Sequence, residues 1–298
     1  MSGAGRRATA ASVSLAVVLL ALGARGQSSE LARAAPGHAL GRFDGLAHAP
    51  FPPVASAPQA LVHWPLDARG PADVVLYLHG YEGCVEVLAA EGPSRCRPGA
   101  RIEQGWDLLA AHAEARVPSW LVMPQLAFRT RDGSPGRLAR EGEARLLLDE
   151  ALARASAGAV PTVRSVVLVA HSAAFESAIA VLRRGGLGAT LRHVVLLDAM
   201  YSGVPVFAEW AASNATHSLV AFHTAGGTPE RRARELVSRY GRRLGARLRA
   251  GDAVSEQDVA PGRVVLARAR TTHRGVPRRY LGPTLARLLG ASEATPPR

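Results

Sequence analysis

The chain has 298 residues, of which 48% are hydrophobic and 20% charged, a balance that excludes a disordered chain and suits one large domain with a buried core. Its formal charge of +12 comes wholly from Arg, since the sequence contains no Lys, and aromatic residues make up only 5%. An all-Arg surface with so few rings fits neither the mixed Lys and Arg phosphate contacts nor the stacking platforms of a nucleic-acid binder.

In chain order, Arg6 and Arg7 precede an uncharged apolar run from Ala8 to Gly23, and Ala24-Arg25-Gly26 puts small residues at the positions an exporting peptidase reads. The run is short for a bilayer span, so residues 1–26 are expected to be a cleaved signal peptide and the protein secreted or periplasmic. Loss of that segment, with three Arg and no acid, would lower the charge to +9. A basic surface of that size would attract anionic envelope polymers weakly, and salt would screen the attraction. Residues 27–59, with Pro36, Pro50, Pro52, Pro53 and Pro58, read as a Pro-rich lead-in, which leaves 60–298 as the folded domain.

Within that domain Leu61 to Trp64 reads as a short edge strand, and Ala72 to Leu78 is a nearly continuous apolar run ending at His79-Gly80. Runs of this kind belong to parallel strands buried on both faces. The two cysteines, Cys84 and Cys96, follow twelve positions apart in a Gly- and Pro-containing stretch. In an oxidising compartment the pair suits a loop-closing disulfide, the alternative being two unpaired buried thiols.

Beyond an amphipathic stretch from Arg101 to Arg116, strands are expected at 119–124, 165–170, 191–197, 217–222 and 263–267. Helices are expected at 137–157, 175–184, 204–212, 229–249 and 281–289. This alternation implies a doubly wound, mostly parallel central sheet with helices on both faces, and a ligand site at the carboxyl ends of the strands.

Polar residues stand at those ends. Ser172 follows one strand in Ala170-His171-Ser172-Ala173-Ala174, immediately before a helix. Here the chain, from about Ala60 to Leu289, resembles the α/β-hydrolase superfamily, whose nucleophile elbow is a Gly-x-Ser-x-Gly turn between strand and helix; the two Ala depart from that pattern. The resemblance implies the α/β-hydrolase fold, Ser172 as nucleophile and His273, after the last strand, as general base. It implies backbone oxyanion donors at Ala173 and at Tyr81, in His79-Gly80-Tyr81-Glu82-Gly83. Chain order points to Asp198 as the acid, although the superfamily's usual position falls one strand later, where Glu230 is the reserve candidate. Read blandly, Ser172 would cap a helix, Asp198 would bind loop amides and Glu230 would favour a helix dipole.

Gly80 and Tyr201 are expected to line the substrate pocket, and His171, turned away from Ser172 by the strand pleat, is expected to pack. Arg129, Arg131 and Asp132 would contact an anionic substrate or be solvated. No metal-binding motif is recognised and no metal or cofactor is expected. The expected activity is cleavage of an ester, amide or peptide bond in a small-molecule or peptide substrate by a monomer that does not bind nucleic acid. A non-catalytic envelope-binding protein on the same scaffold is the competing reading.

Overall fold

The computed structural model describes residues 32–156 and 160–290. The expected signal peptide lies outside the described residues. The elements in chain order begin with β1 (His38–Phe43), β2 (Ala60–Pro65), β3 (Ala72–Leu78), α1 (Val85–Ala89), β4 (Pro93–Arg95), β5 (Ile102–Gln104), α2 (Leu108–Glu114) and β6 (Ser119–Pro124). They continue with α3 (Glu143–Ala155), β7 (Val163–His171), α4 (Phe175–Arg184), β8 (Leu191–Leu197), α5 (Val204–Ser213), β9 (Ser218–His223), α6 (Thr228–Leu244), β10 (Leu248–Ala250), β11 (Val264–Arg268) and α7 (Val276–Leu289).

Among the described residues nine strands form one sheet in the order β1-β2-β6-β3-β7-β8-β9-β11-β10, while β4 and β5 make a separate small ribbon. Only β2 runs against its neighbours; from β6 across to β10 every pairing is parallel. The cause is visible in the central strands. In β3, Val74, Leu76 and Leu78 enter one apolar layer and Val75 and Tyr77 the other, so the period-two backbone buries both faces. Helices α3 to α6 cover the first layer through Leu147, Val181, Phe207 and Leu236, and α1, α2 and α7 cover the second through Leu88, Leu108 and Leu285. Among the described residues no helix is long and apolar enough to cross a membrane.

This order positions the site. After β3 the chain moves to one side, to β6, and then crosses to β7 on the other side of β3, so the winding reverses at β3. A crevice opens at the carboxyl ends of strands where that reversal occurs. The loops after β3 and β7, carrying Gly80 and Ser172, meet there.

The sheet begins earlier than the expected boundary at residue 60. Residues 38–43, within the expected lead-in, pair with β2 from His38 opposite Pro65 to Phe43 opposite Ala60. Pro36 and Pro50 flank this segment but none falls inside it, so its ladder hydrogen bonds are intact, and an edge strand needs pairing on one side only. The helix expected over 229–249 stops at Leu244, because Gly245 takes a positive φ of 56° and releases the chain into β10.

Candidate active site

Strand β7 ends at His171 in extended backbone, and the chain enters α4 through a tight turn over Ser172–Ala174. Ser172 sits in the left-handed region at φ 57°, a conformation costly for a residue with a Cβ that persists only where surrounding packing imposes it. Ala170 and Ala174, both buried, occupy the positions where strand and helix converge, and a methyl is accommodated at each. The loop after β3 presses on this turn. A Cβ added to Gly80 would lie 2.6 Å from the Ser172 Cβ and 3.0 Å from the His171 carbonyl oxygen, so the contact requires glycine.

Three expected residues come together: Ser172, His273 and Asp198. His273 Nε2 lies 3.0 Å from Ser172 Oγ, and His273 Nδ1 lies 2.7 Å from Asp198 Oδ2. Asp198 is 1% exposed and, like Ser172, holds a positive φ of 50°. Its own amide donates to the Phe222 carbonyl at 2.7 Å, which fastens the end of β8 to β9. The Thr224 amide donates to Oδ1 at 2.9 Å and the Thr224 hydroxyl to Oδ2 at 2.7 Å. Burial pushes the Asp198 carboxyl up, but the bonds from His273 and Thr224 outweigh it and hold the group below the usual carboxylate range. An ionised carboxylate only accepts, so His273 carries its proton on Nδ1 and turns the Nε2 lone pair to the serine hydroxyl.

The reserve acid lies apart from this relay. Glu230 accepts from the Gly226 amide at 2.6 Å and pairs with Arg234 at 2.5 Å. At the end of β9, where the superfamily's acid was sought, Thr224 instead buttresses the carboxylate offered by β8. Sequence reasoning missed Thr224; its signal was a hydroxyl one residue past β9, on the strand neighbouring the one that ends before Asp198.

Two histidines support the arrangement. His171 packs as expected, its ring 4.6 Å from that of His273 and edge-on to Trp106 at 5.2 Å. Its Nε2–H donates to the His273 carbonyl at 3.2 Å, and burial, with His273 adding to it, pushes its pKa down to about 3. His79 donates from Nδ1 to the Gly80 carbonyl at 2.8 Å and accepts the Leu126 amide on Nε2 at 2.9 Å. Burial brings it down to about 4, so a neutral imidazole braces the turn that carries Gly80 and Tyr81.

The Tyr201 ring packs near Phe175, with centroids 6.0 Å apart, and partial burial followed by the Asp198 charge raises its pKa. An open cleft of about 530 Å³ lies over Ser172 and His273, with Tyr81, Leu88, Trp106 and Arg274 among its walls. Arg274 stands 5.2 Å above the Trp106 ring. Arg129 pairs with Glu103 and Arg131 with Glu82, so both are engaged within the rim. Asp132 accepts from the Ser134 amide in its own loop. Cys84 and Cys96 are disulfide-bonded with Cα atoms 5.9 Å apart, closing the loop behind the cleft. Metal-ligating side chains converge elsewhere, where His38, His63 and His112 meet between β1, β2 and α2.

No protein-family model matches the sequence, and no curated protein matches it. Among solved structures the chain is similar to an S-formylglutathione hydrolase from Agrobacterium tumefaciens, at 11% identity over 87% of this chain and 98% of that one, with a TM-score of 0.49. It is also similar to a dienelactone hydrolase-like promiscuous phosphotriesterase from metagenomic libraries, at 11% identity over 69% and 78%, with a TM-score of 0.41. The sheet order, the single reversed strand β2 and the strained serine turn define the architecture directly: the chain has the α/β-hydrolase fold.

Proposed function

We propose that the protein is an exported serine hydrolase that cleaves an ester or amide bond through an acyl-enzyme on Ser172. One observation carries the reading: an unbroken hydrogen-bond relay from Ser172 through His273 to a buried, doubly buttressed Asp198, opening on a cleft. In this reading Ser172 Oγ attacks the substrate carbonyl while its proton passes to His273 Nε2. The resulting imidazolium faces Asp198, which stabilises it without taking the proton. The backbone N–H groups of Ala173 and Tyr81 receive the developing oxyanion. His273 then gives its proton to the leaving group, and a water activated by the same imidazole releases the acid.

Both departures from the superfamily pattern have a physical account compatible with catalysis. The elbow accommodates methyl groups at 170 and 174, and the acid displaced to β8 still reaches His273. Export is supported by the sequence of residues 1–26 together with the disulfide. The test is turnover of a small 4-nitrophenyl ester and the matching anilide by the protein and by Ser172→Ala. Turnover of either, lost in the variant, supports the proposal and tells ester from amide preference; equal rates in both proteins would refute it.

A further inference from the structure

His38, His63 and His112 are far apart in sequence and have no part in the relay. The register of the first hairpin brings two of them together: Leu40 is opposite His63 and His38 opposite Pro65, so His38 and His63 are diagonal neighbours on one face. Their rings stack at 4.6 Å. His112 reaches the same point from α2, and His63 Nδ1 and His112 Nδ1 are 2.9 Å apart. One ring nitrogen from each of the three lies within 4.8 Å of the others, and His63 and His112 are at most 1% exposed.

We infer that these three histidines form a binding site for a first-row divalent metal ion of the imidazole-preferring kind, Zn²⁺ above all. The donor set is the first reason, because three neutral imidazoles without a carboxylate select zinc, copper or nickel over calcium or magnesium. The outer hydrogen bonds are the second. His112 Nε2 is held by Ser119 Oγ at 2.9 Å, which leaves Nδ1 free to ligate. His38 Nδ1 donates to the Pro36 carbonyl at 3.1 Å, which leaves Nε2. Ligating histidines are oriented in this manner by a bond from the other ring nitrogen.

Binding has a defined proton balance. Without metal, the Ala35 amide donates to His63 Nε2 at 3.3 Å, so the proton shared between His63 and His112 belongs to His63 Nδ1. When both Nδ1 atoms ligate, that proton moves to His63 Nε2, which keeps the ring neutral and breaks the long Ala35 contact. Zinc–nitrogen bonds of about 2.0–2.1 Å place tetrahedral ligands roughly 3.3–3.4 Å apart. His63 and His112 therefore separate by about half an ångström, and the partly exposed His38 turns out of its stack to supply the third ligand. A water completes the shell on the exposed side. The ion would clamp the segment ahead of β1 and the edge strand itself onto β2 and α2.

The experiment is calorimetric titration of the chelator-stripped, full folded protein with Zn²⁺ alone, together with X-ray absorption of the loaded protein. The expected result is one saturable equivalent per chain, a shell of nitrogen neighbours at about 2.0 Å, and a raised Tm on loading. His38→Ala, at a partly exposed position, is expected to fold and to bind at least tenfold more weakly. His63→Gln, checked for folding by circular dichroism, serves as a second variant. Absence of a saturable equivalent, a shell lacking three nitrogens, or unchanged affinity in folded His38→Ala would overturn the inference, and the absorption measurement decides it even if the variants do not fold.

Discussion

Asp198 Oδ2 lies 2.7 Å from His273 Nδ1, although the two residues come from loops separated in the sheet by β9. The gap is bridged because Asp198, in left-handed backbone, leans toward β9 and is caught there by both polar groups of Thr224. Replacing Asp198 with Asn would leave the shape but remove the acceptor that sets the imidazole tautomer. Asp198→Asn is expected to lower kcat by about four orders of magnitude, the size seen when a triad acid is changed in a serine protease. Glu230→Gln, whose carboxylate serves Gly226 and Arg234, is expected to retain most activity. Steady-state kinetics on the two variants checks this, and comparable losses in both would contradict it.

Gly80 supports a second expectation. A methyl there would meet the Ser172 Cβ at 2.6 Å and the His171 backbone oxygen at 3.0 Å, and neither is the far end of a flexible side chain. The loop or the elbow must move, and misplacement by about 1 Å can cost roughly a hundredfold. Gly80→Ala is expected to fold yet to lose about a hundredfold or more in kcat/KM. Unchanged kinetics would mean that the two loops are not in contact in solution.

Much of this was legible in the residues. Buried parallel strands announce themselves as apolar runs, so β3, β6, β7 and β8 stood out, and the polar residues at their ends followed. What was not legible has specific causes. β1 was hidden by flanking prolines and by the weak alternation expected of an edge strand. The three-histidine cluster depends on the β1–β2 register and on the docking of α2, neither of which leaves a spacing motif. The acid was legible as Asp198 with Glu230 in reserve, and the geometry separates the two, since Asp198 reaches His273 while Glu230 serves Gly226 and Arg234.

The buried histidines predict acid sensitivity of the fold. Burial chiefly lowers His79 and His193 to about 4 and His171 to about 3, against an ordinary value of 6.5. Below pH 6.5 the unfolded chain therefore takes up protons that the folded chain refuses, and stability falls with pH until about pH 4, where the folded groups begin to protonate. Each of the three adds to the downward slope inside that window. Asp198, with its folded value depressed, adds stability that is lost only at still lower pH. Urea midpoints between pH 7.5 and 5 should fall at constant m; a flat profile would contradict the neutral, buried assignment.

The disulfide makes a thermodynamic prediction. Closing the twelve-residue separation between Cys84 and Cys96 restricts the unfolded chain by an amount worth about 3 kcal/mol at most. The double variant Cys84→Ser, Cys96→Ser is expected to fold with a lower Tm, and non-reducing mass spectrometry of the native protein should find no free thiol. Two free thiols in exported protein would refute it.

The proposed reaction depends on Ser172 being activated as a nucleophile through His273. Its most direct test is reaction of the folded protein with a fluorophosphonate probe, followed by peptide mapping. One adduct per chain is expected, on Ser172, absent in Ser172→Ala and formed far more slowly in His273→Ala. A folded protein that never labels, or that labels equally when Ser172 is Ala, would contradict it.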